Sequence, residues 1–356
     1  MPVISHRKIG SLLNGTLNRF GLEIRRLSSA GVEPGRPPDI RDGTFDHRFH
    51  ADESSLPLGA AEYLRADNQR LRYLRELYAR LDWPVCEHSR WRDETVRGWL
   101  NLKYFRGDNI IVWHYREDPQ YNGPEFTRLF YFTYLRYVLD RGGSELVDRL
   151  GEDGAFGCWT YDFPGYPRCS RDLLDSVNEL LFLDKHLSVI SRKAFRILDI
   201  GAGYGRLAHR ASQAINGLSD YCCVDAIAES TFLCEFYLGF RQISPPARVK
   251  PLDEVPSLEE GAFDLAVNVH SFSECRLDAI EWWMSQVARL GIPYVFVVPN
   301  EASGFLTTEG DSTRKDYLQT IESNGYRLIA EVPAIEDVGT RDVLEIHDRY
   351  CLFERR

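Results

Sequence analysis

The stretch RILDIGAGYGRLAHR, residues 196–210, constrains the fold of this chain more than any other part of its sequence. A short apolar run comes first, and glycines follow at alternate positions, Gly201, Gly203 and Gly205. The residues after the last glycine are expected to form a helix. A buried strand that passes through a glycine loop into a helix is a typical unit of a parallel sheet with helices on its faces. The stretch therefore predicts an α/β domain.

Short apolar strands alternate with helices after the glycine loop. The strand candidates are FRILDI, YCCVD, ARVKPL, FDLAVNV and IPYVFVVP, and helices are expected from Tyr204, Ala228, Leu277 and Ser312. Right-handed crossovers between such strands give a parallel sheet. Two more candidates, residues 326–333 and 348–355, close the chain, and the connection between them shows no obvious helix. That connection favours a final antiparallel hairpin.

The residues ahead of the sheet have mainly helical patterns. Apolar spacing predicts a helix over 60–81, which Pro84 ends, and another over 126–143, which ends at a glycine pair. Ser170 is placed to cap a helix that runs to Leu187. Residues 109–117, NIIVWHYRE, are β-branched and aromatic and predict a strand or a hairpin arm.

These patterns divide the chain into three parts. Residues 1–57 are expected to form an amphipathic helix and a linker, 58–190 a mainly helical domain that covers the site and selects the substrate, and 191–356 the sheet domain. Basic residues flank the apolar face of the first helix within residues 7–27. This face is compatible with weak peripheral binding to anionic membrane. Docking of this helix on the protein's own body or on a second subunit is favoured, and the second alternative gives a homodimer.

Composition excludes several classes of function. The formal net charge of −10 gives the chain no electrostatic reason to bind nucleic acid. The eight cysteines form no CxxC pair and the histidines show no zinc spacing, so we expect reduced core thiols in a cytoplasmic protein. No apolar run approaches the roughly 18 residues that a membrane span needs.

The spacing of the glycine loop discriminates between cofactors. A dinucleotide fingerprint needs G-x-G-x-x-G, but Arg206 stands where the last glycine belongs, and no GK[ST] of a P-loop follows. An acid just before the loop, Asp199, and an acid closing the next strand, Asp225, are the arrangement of S-adenosylmethionine sites. Asp225 can accept hydrogen bonds from both ribose hydroxyls, and Asp199 can lie near the cationic end of the cofactor. The predicted contacts include Gly201, Gly203, Tyr204, Gly205 and Ala226.

Longer signatures resemble one family more closely. They are SRDLLDSVNELLFL ahead of the sheet, LDIGAGYGRLAHR, FYL in the second helix of the sheet domain, and NVHSFSE after the fourth strand. Together they resemble the class I methyltransferases identified as sugar O-methyltransferases of bacterial polysaccharide and glycosylated natural-product clusters. The resemblance covers residues 60–356. It implies a Rossmann-like sheet of order 3-2-1-4-5-7-6 with an antiparallel seventh strand, S-adenosylmethionine as cofactor and a sugar acceptor. It also suggests Asp253, after the third strand, as a contact of the adenine amine; a solvated acidic loop is the alternative.

The segment after the fourth strand is expected to carry the chemistry. In such sheets, ligands collect at the carboxyl ends of the strands. A sugar hydroxyl is a poor nucleophile at pH 7, so a general base is expected, with His270 as the first choice. Glu274 is the second choice: it is either the base itself or the group that orients His270. Asn268 is expected to contact the methionine end of the cofactor or to fix the loop.

Acceptor binding is expected from the region ahead of the sheet. Sugars stack their C–H faces on aromatic rings and bind polar side chains through their hydroxyls. Packing of the helical domain is the alternative for each aromatic residue. No compact acidic cluster calls for a metal, so none is predicted. The rival functions are a polyketide-type O-methyltransferase and a non-catalytic S-adenosylmethionine-binding protein. The candidate acceptor residues are Trp113, Tyr115, Arg116, Tyr121, Trp159, Tyr161, Asp162, Asp175, Asn178 and Glu179.

Overall fold

The computed structural model describes residues 56–92, 96, 100–107, 123–311 and 313–356, with side chains from residue 128 onward in the helix that begins at Gly123. The chain divides into two compact units, residues 1–44 and 45–356, and the description below concerns the second. The predicted first helix and the predicted strand at 109–117 lie outside the described residues.

A seven-stranded sheet organises the second unit. Its strand order is β3-β2-β1-β4-β5-β7-β6. β7 pairs antiparallel with both β5 and β6, whereas the β1, β2, β3, β4 and β5 pairings are parallel. The strands are β1 Phe195–Ile200, β2 Leu218–Val224, β3 Ala247–Val249, β4 Leu265–Val269, β5 Tyr294–Val298, β6 Tyr326–Pro333 and β7 Arg349–Arg355. The Rossmann-like α/β prediction, with its antiparallel seventh strand and helical region ahead of the sheet, is therefore confirmed.

Helices cover the sheet and precede it in the chain. They are α1 Ala60–Tyr63, α2 Gln69–Tyr78, α3 Gly123–Val138, α4 Ser144–Leu150, α5 Arg171–Leu187, α6 Arg206–Ala214, α7 Ala228–Phe240, α8 Leu277–Arg289, α9 Leu318–Ser323 and α10 Val338–Leu344. The α10 helix lies in the connection where the sequence showed none. Within the described residues, no helix combines the length and the apolar composition needed to cross a bilayer.

Two of the predicted helices are interrupted. Residues 60–81 form α1 and α2 rather than one helix, because Asn68 caps α2: its side chain accepts from Arg70 N–H and donates to the Tyr63 carbonyl. In the region predicted as a helix over 126–143, the α-helix α3 ends at Val138. A π-helical turn at Leu139–Gly143 then connects it to α4.

The helix that leads into the sheet begins where the sequence predicts. The Ser170 hydroxyl accepts from the backbone N–H of Leu173, so Ser170 is the N-cap of α5. The helix ends at Leu187, and Ser188 follows in a left-handed conformation. The predicted α5 is confirmed at both ends.

Two hydrophobic cores lie on opposite faces of the sheet, since successive residues of a strand point to opposite sides. Ile197 contributes to the core that α3, α4, α5 and α6 cover, and Leu198 to the core that α2, α7 and α8 cover. Helices from both sides of residue 190 therefore share each core, and the predicted domain boundary lies within one compact unit. A separate substrate-selecting role for residues 58–190 stays a prediction. All eight cysteines are free, and six are buried.

Candidate functional site

A cavity of about 270 Å³ lies at the carboxyl ends of β1, β2 and β4. This edge is where parallel α/β sheets bind ligands, because the loops that leave neighbouring strands diverge there. Its floor comes from the three segments that follow these strands. These floor residues are Gly201, Gly203, Tyr204, Asp225, Ala226, Ile227, Val269, His270, Ser271, Glu274 and Cys275.

The glycine loop follows β1 and turns sharply beneath the cavity. Gly201 has φ +73°, and a Cβ there would lie 2.3 Å from the Ser271 Oγ atom, so the loop and the segment after β4 can touch only at a glycine. Gly203 has φ +58°, and nothing lies within 4 Å of the place that its Cβ would take. The backbone at Gly203 is therefore open towards a ligand.

Asp225 closes β2 and faces the glycine loop across the cavity floor. Its carboxylate accepts from the backbone N–H groups of Gly203, at 3.0 Å, and Ile227, at 2.8 Å. Burial raises the pKa of Asp225 to about 6, against the lowering effect of those N–H groups. Each carboxylate oxygen has a second lone pair for a further donor. Asp225 is thus held rigidly and can still accept hydrogen bonds from a ligand.

Three of the predicted cofactor residues lie behind the cavity wall. Asp199 is buried and accepts from the Tyr221 hydroxyl at 2.8 Å, and burial raises its pKa to about 7. Asn268 donates to the Ile200 carbonyl and accepts from the Phe272 N–H, so it joins the loops after β1 and β4. Gly205 is the N-cap residue of α6 and packs against α7, where a Cβ would lie 2.9 Å from the Cys234 Sγ atom. Asn268 fits the loop-fixing alternative that the sequence left open.

Asp253 lies elsewhere. It is exposed on a 3-10 helix, Leu252–Ser257, and it does not line the cavity. The solvated acidic loop, the alternative for this residue, matches its position.

His270 follows β4 and lines the cavity. Its backbone has φ +65° and its N–H donates to the Val298 carbonyl, which fixes an unusual left-handed conformation. Its Nε2 atom lies 3.4 Å from a carboxylate oxygen of Asp348, just before β7. Burial opposes the charged imidazolium, but the Asp348 carboxylate outweighs burial and raises the pKa of His270.

Glu274 also lines the cavity, but its contacts are with residues 89–91. It accepts from the Trp91 indole N–H, its side chain lies 3.6 Å from Arg90, and its carbonyl accepts from the Ser89 hydroxyl. The acid that pairs with His270 is Asp348. The alternative in which Glu274 orients His270 therefore finds no direct contact in the described residues, whereas a role for Glu274 as a base stays a prediction.

A roof, which we define as residues 83–92 and 100–107, covers the cavity. Trp83 stacks on Trp282 of α8 at 5.3 Å between ring centroids, and Arg92 donates to the Gly310 carbonyl. A cover from residues 58–190 was predicted, but these particular residues were not, since they carry no periodic pattern and reach the cavity only through contacts distant in sequence. The roof residues that line the cavity are Val85, Glu87, His88, Ser89, Trp91, Leu100 and Phe105.

A buried charge network ties the roof to the glycine loop. Arg106 has no exposed side-chain surface and contacts the carboxylates of Glu152, at 2.9 Å, and Asp172, at 3.1 Å. Arg210 of α6 pairs with the same two carboxylates. The Tyr204 hydroxyl donates to Asp172 as well, so one carboxylate joins the roof, α5 and the cavity floor.

The predicted acceptor residues of α5 do not line the cavity. Asp175 accepts from the Tyr134 hydroxyl, Asn178 donates to the Ala334 carbonyl, and Glu179 pairs with Arg206 at 2.8 Å. Their i, i+3 and i+4 spacing does place them on one helix face, but that face is directed into the protein.

The other acceptor candidates lie away from the cavity or outside the described residues. Tyr161 stacks on Tyr131 at 4.0 Å, and Asp162 pairs with Arg168. Trp159 packs against the core that α5 covers. The remaining four candidates lie outside the described part of the chain: Trp113, Tyr115, Arg116 and Tyr121.

The charge of the cavity wall discriminates between ligands. Its described residues include the acids Glu87, Asp225 and Glu274 but neither lysine nor arginine. Arg206, which replaces the last glycine of a dinucleotide fingerprint, instead pairs with α5. Such a wall suits a cationic or uncharged ligand better than a pyrophosphate. Among the residues that the structure describes, no group of three or more His, Cys, Asp or Glu side chains could hold a metal ion.

Comparison with known proteins gives structural similarity only. No family model matches the chain, and no curated protein matches it. An S-adenosylmethionine-dependent methyltransferase from Aquifex aeolicus is 14% identical, with a TM-score of 0.36 over 48% of this chain and 87% of that chain. The [4+2]-cyclase SpnF is 13% identical, with a TM-score of 0.39 over 63% and 94%. A geranyl diphosphate C-methyltransferase from Streptomyces coelicolor is 14% identical, with a TM-score of 0.38 over 51% and 81%.

Proposed function

We propose that the cavity binds S-adenosylmethionine and that the protein transfers its methyl group to a hydroxyl of a small-molecule acceptor, a sugar. One observation carries the cofactor proposal: the Asp225 carboxylate closes β2 on the cavity floor and is held by the N–H of Gly203 in the glycine loop. This is the position from which a carboxylate can bind the two hydroxyls of a ribose.

The residues of the floor fit this cofactor. Asp225 would hold the ribose, and the open backbone at Gly203 would allow the amino-acid part to approach closely. The acidic wall suits a ligand with sulfonium and ammonium charges and no phosphate. When bound, S-adenosylmethionine supplies an electrophilic methyl group. The chain's own contribution is to orient the two reactants, exclude water and accept a proton.

His270 supports a hydroxyl as the acceptor group. A hydroxyl keeps its proton at pH 7, and a positioned base contributes roughly 10²- to 10⁴-fold to its reaction. The roof combines the Trp91 and Phe105 rings with polar Ser89 and His88, which suits a sugar. The choice of a sugar also rests on the sequence resemblance. The aromatic and polar candidates at 113–121 belong to the same proposal.

Calorimetric titration with S-adenosylhomocysteine tests the cofactor site. We expect the wild-type protein to bind and Asp225→Asn to bind at least about tenfold more weakly, since hydrogen bonds to a charged group contribute about 1.5–3 kcal/mol. Asp220→Asn is the matched control, because Asp220 lies on the same strand at the opposite edge of the sheet, where it pairs with Arg248. That variant should bind as the wild type does.

An equal loss of affinity in both variants, or no binding to the wild type, would contradict the proposed cofactor site. With binding established, methyl transfer from labelled S-adenosylmethionine to nucleotide sugars, oligosaccharides and glycosylated products tests the acceptor class. The matched aglycones are the control, and methylation of the aglycones alone would exclude a sugar hydroxyl.

A further inference from the structure

The contact between His270 and Asp348 was not predicted from the sequence, and it specifies more than a generic base. Asp348 precedes β7, which runs antiparallel to β5, so its start lies at the edge where the parallel strands end. The chain thus brings an acid, from about 80 residues further along the sequence, behind the imidazole. Asp348 does not line the cavity, whereas His270 does.

The geometry also distinguishes the two ring nitrogens. Nε2 lies 3.4 Å from the Asp348 carboxylate, and a carboxylate can only accept. In the neutral ring, the proton therefore belongs on Nε2, and the lone pair is on Nδ1. The His270 N–H donates to the Val298 carbonyl and holds the backbone in a left-handed conformation. This backbone fixes the direction in which the side chain leaves the Cα atom. Strained backbone of this kind is concentrated at functional sites.

We propose that Asp348 is the positioning residue of the reaction and that His270 Nδ1 is the atom that accepts the acceptor's hydroxyl proton. In this step the O–H bond breaks and an N–H bond forms at Nδ1. The electron pair left on oxygen would bond to the methyl carbon of the proposed S-adenosylmethionine as the bond between that carbon and sulfur breaks, and the sulfur would keep the bonding pair in the leaving S-adenosylhomocysteine. The resulting imidazolium lies beside the Asp348 carboxylate, which stabilises its charge until the proton passes to solvent. The inference rests on the proposed function, because it assigns a role to the base of that same site.

Other charged groups also surround His270 and must be considered. Arg171 and Glu179 interact with it from α5, one disfavouring and one favouring the imidazolium. Asp225 and Glu274 are acids of the same cavity wall. Among the interactions with His270, that with Asp348 is the one that combines an ion-pair distance with a raised pKa of the imidazole and a lowered pKa of the acid.

Histidine NMR tests this inference without an acceptor. The full chain is labelled with ¹³C and ¹⁵N in its nine histidines, and His270→Gln assigns the His270 signal. In the wild type we expect ¹⁵N shifts of an Nε2–H tautomer above the pKa of His270. Asp348→Asn should shift the titration of His270 to lower pH, and Asp348→Glu should restore part of it.

Asp342→Asn is the matched control, because Asp342 is an exposed acid of the neighbouring α10 and the charge change is identical. It should leave the His270 titration unchanged. A wild-type ring with its proton on Nδ1 would overturn the proposal even if no Asp348 variant folds, and so would an unchanged titration in Asp348→Asn. Titration with S-adenosylhomocysteine on the same samples separates the two proposals: absent binding counts against the proposed function, whereas the NMR result decides the role of Asp348.

Discussion

At the scale of single residues, the glycines of the loop are required for different reasons. Gly201 allows the loop after β1 to touch Ser271, whereas Gly203 faces open space over the cavity floor. The sequence alone presents them as equivalent members of one motif. Only Gly203 has the position that the cofactor proposal needs, because its N–H holds the Asp225 carboxylate and the space around its missing Cβ is open.

Gly203→Ala should separate ligand binding from stability. Both Gly203, with φ +58°, and Gly261, with φ +72°, have open space around the missing Cβ, so alanine at either position costs about 1–2 kcal/mol of folding stability. Only at Gly203 would the methyl group enter the ligand's space. We expect calorimetry to show that Gly203→Ala binds S-adenosylhomocysteine roughly tenfold more weakly than the wild type, a loss of about 1.4 kcal/mol. Gly261→Ala should bind with wild-type affinity. Equal affinities in the two variants would place the ligand away from the loop.

At the scale of elements, the Asp172 network connects three parts of the site. Asp172 lies in the first turn of α5 and pairs with Arg106 of the roof and Arg210 of α6, while Tyr204 of the loop donates to it. The two guanidinium groups hold the pKa of this buried carboxyl well below its usual range, although burial alone would raise it. The roof and the cavity floor are therefore stabilised by the same charge.

Asp172→Asn tests the energetic weight of this network. In this variant the single buried carboxylate of Glu152 would face the guanidinium groups of both Arg106 and Arg210, and removal of one partner from a buried ion pair typically costs about 3–5 kcal/mol. Urea unfolding followed by circular dichroism measures the loss. Asp67→Asn is the control, because Asp67 pairs with Arg65 at the surface, where ion pairs contribute at most about 1 kcal/mol. A loss of similar size in both variants would mean that the network does not stabilise the roof.

At the scale of the whole molecule, helices and sheet share their cores. Leu173 of α5 is fully buried in the same core as Ile197 of β1, although the predicted domain boundary separates them. A core shared in this way couples the unfolding of both parts. We therefore expect the described residues on the two sides of position 190 to unfold together.

Hydrogen exchange in increasing urea tests this coupling. Peptides from α5 and from β1 should lose protection at the same urea concentration in the full chain. Leu173→Ala, which removes buried methyl groups and costs about 2–5 kcal/mol, should lower that concentration for both peptides. Loss of protection in α5 at lower urea than in β1 would support independent domains at the predicted boundary.

The sequence predicted what depends on neighbours along the chain. Alternating apolar runs and helical stretches predict the sheet and its terminal hairpin, and Ser170 predicts the start of α5, because strands and caps are specified locally. The glycine loop with Asp225 predicts the cavity floor, since consecutive parallel strands end at one edge. Five of the nine predicted cofactor residues line the cavity: Gly201, Gly203, Tyr204, Asp225 and Ala226.

Only the tertiary structure decided which residues meet across long sequence distances. The sequence predicts that the polar face of α5 binds the acceptor. In the structure, Arg206 of α6 forms an ion pair with Glu179 on that face. The roof reaches the cavity through the buried Arg106, and Asp348 reaches His270 through the antiparallel β7. No local sequence pattern predicts such pairs. The free energy of a buried ion pair depends on the burial and the position of both partners, which are set by the tertiary structure.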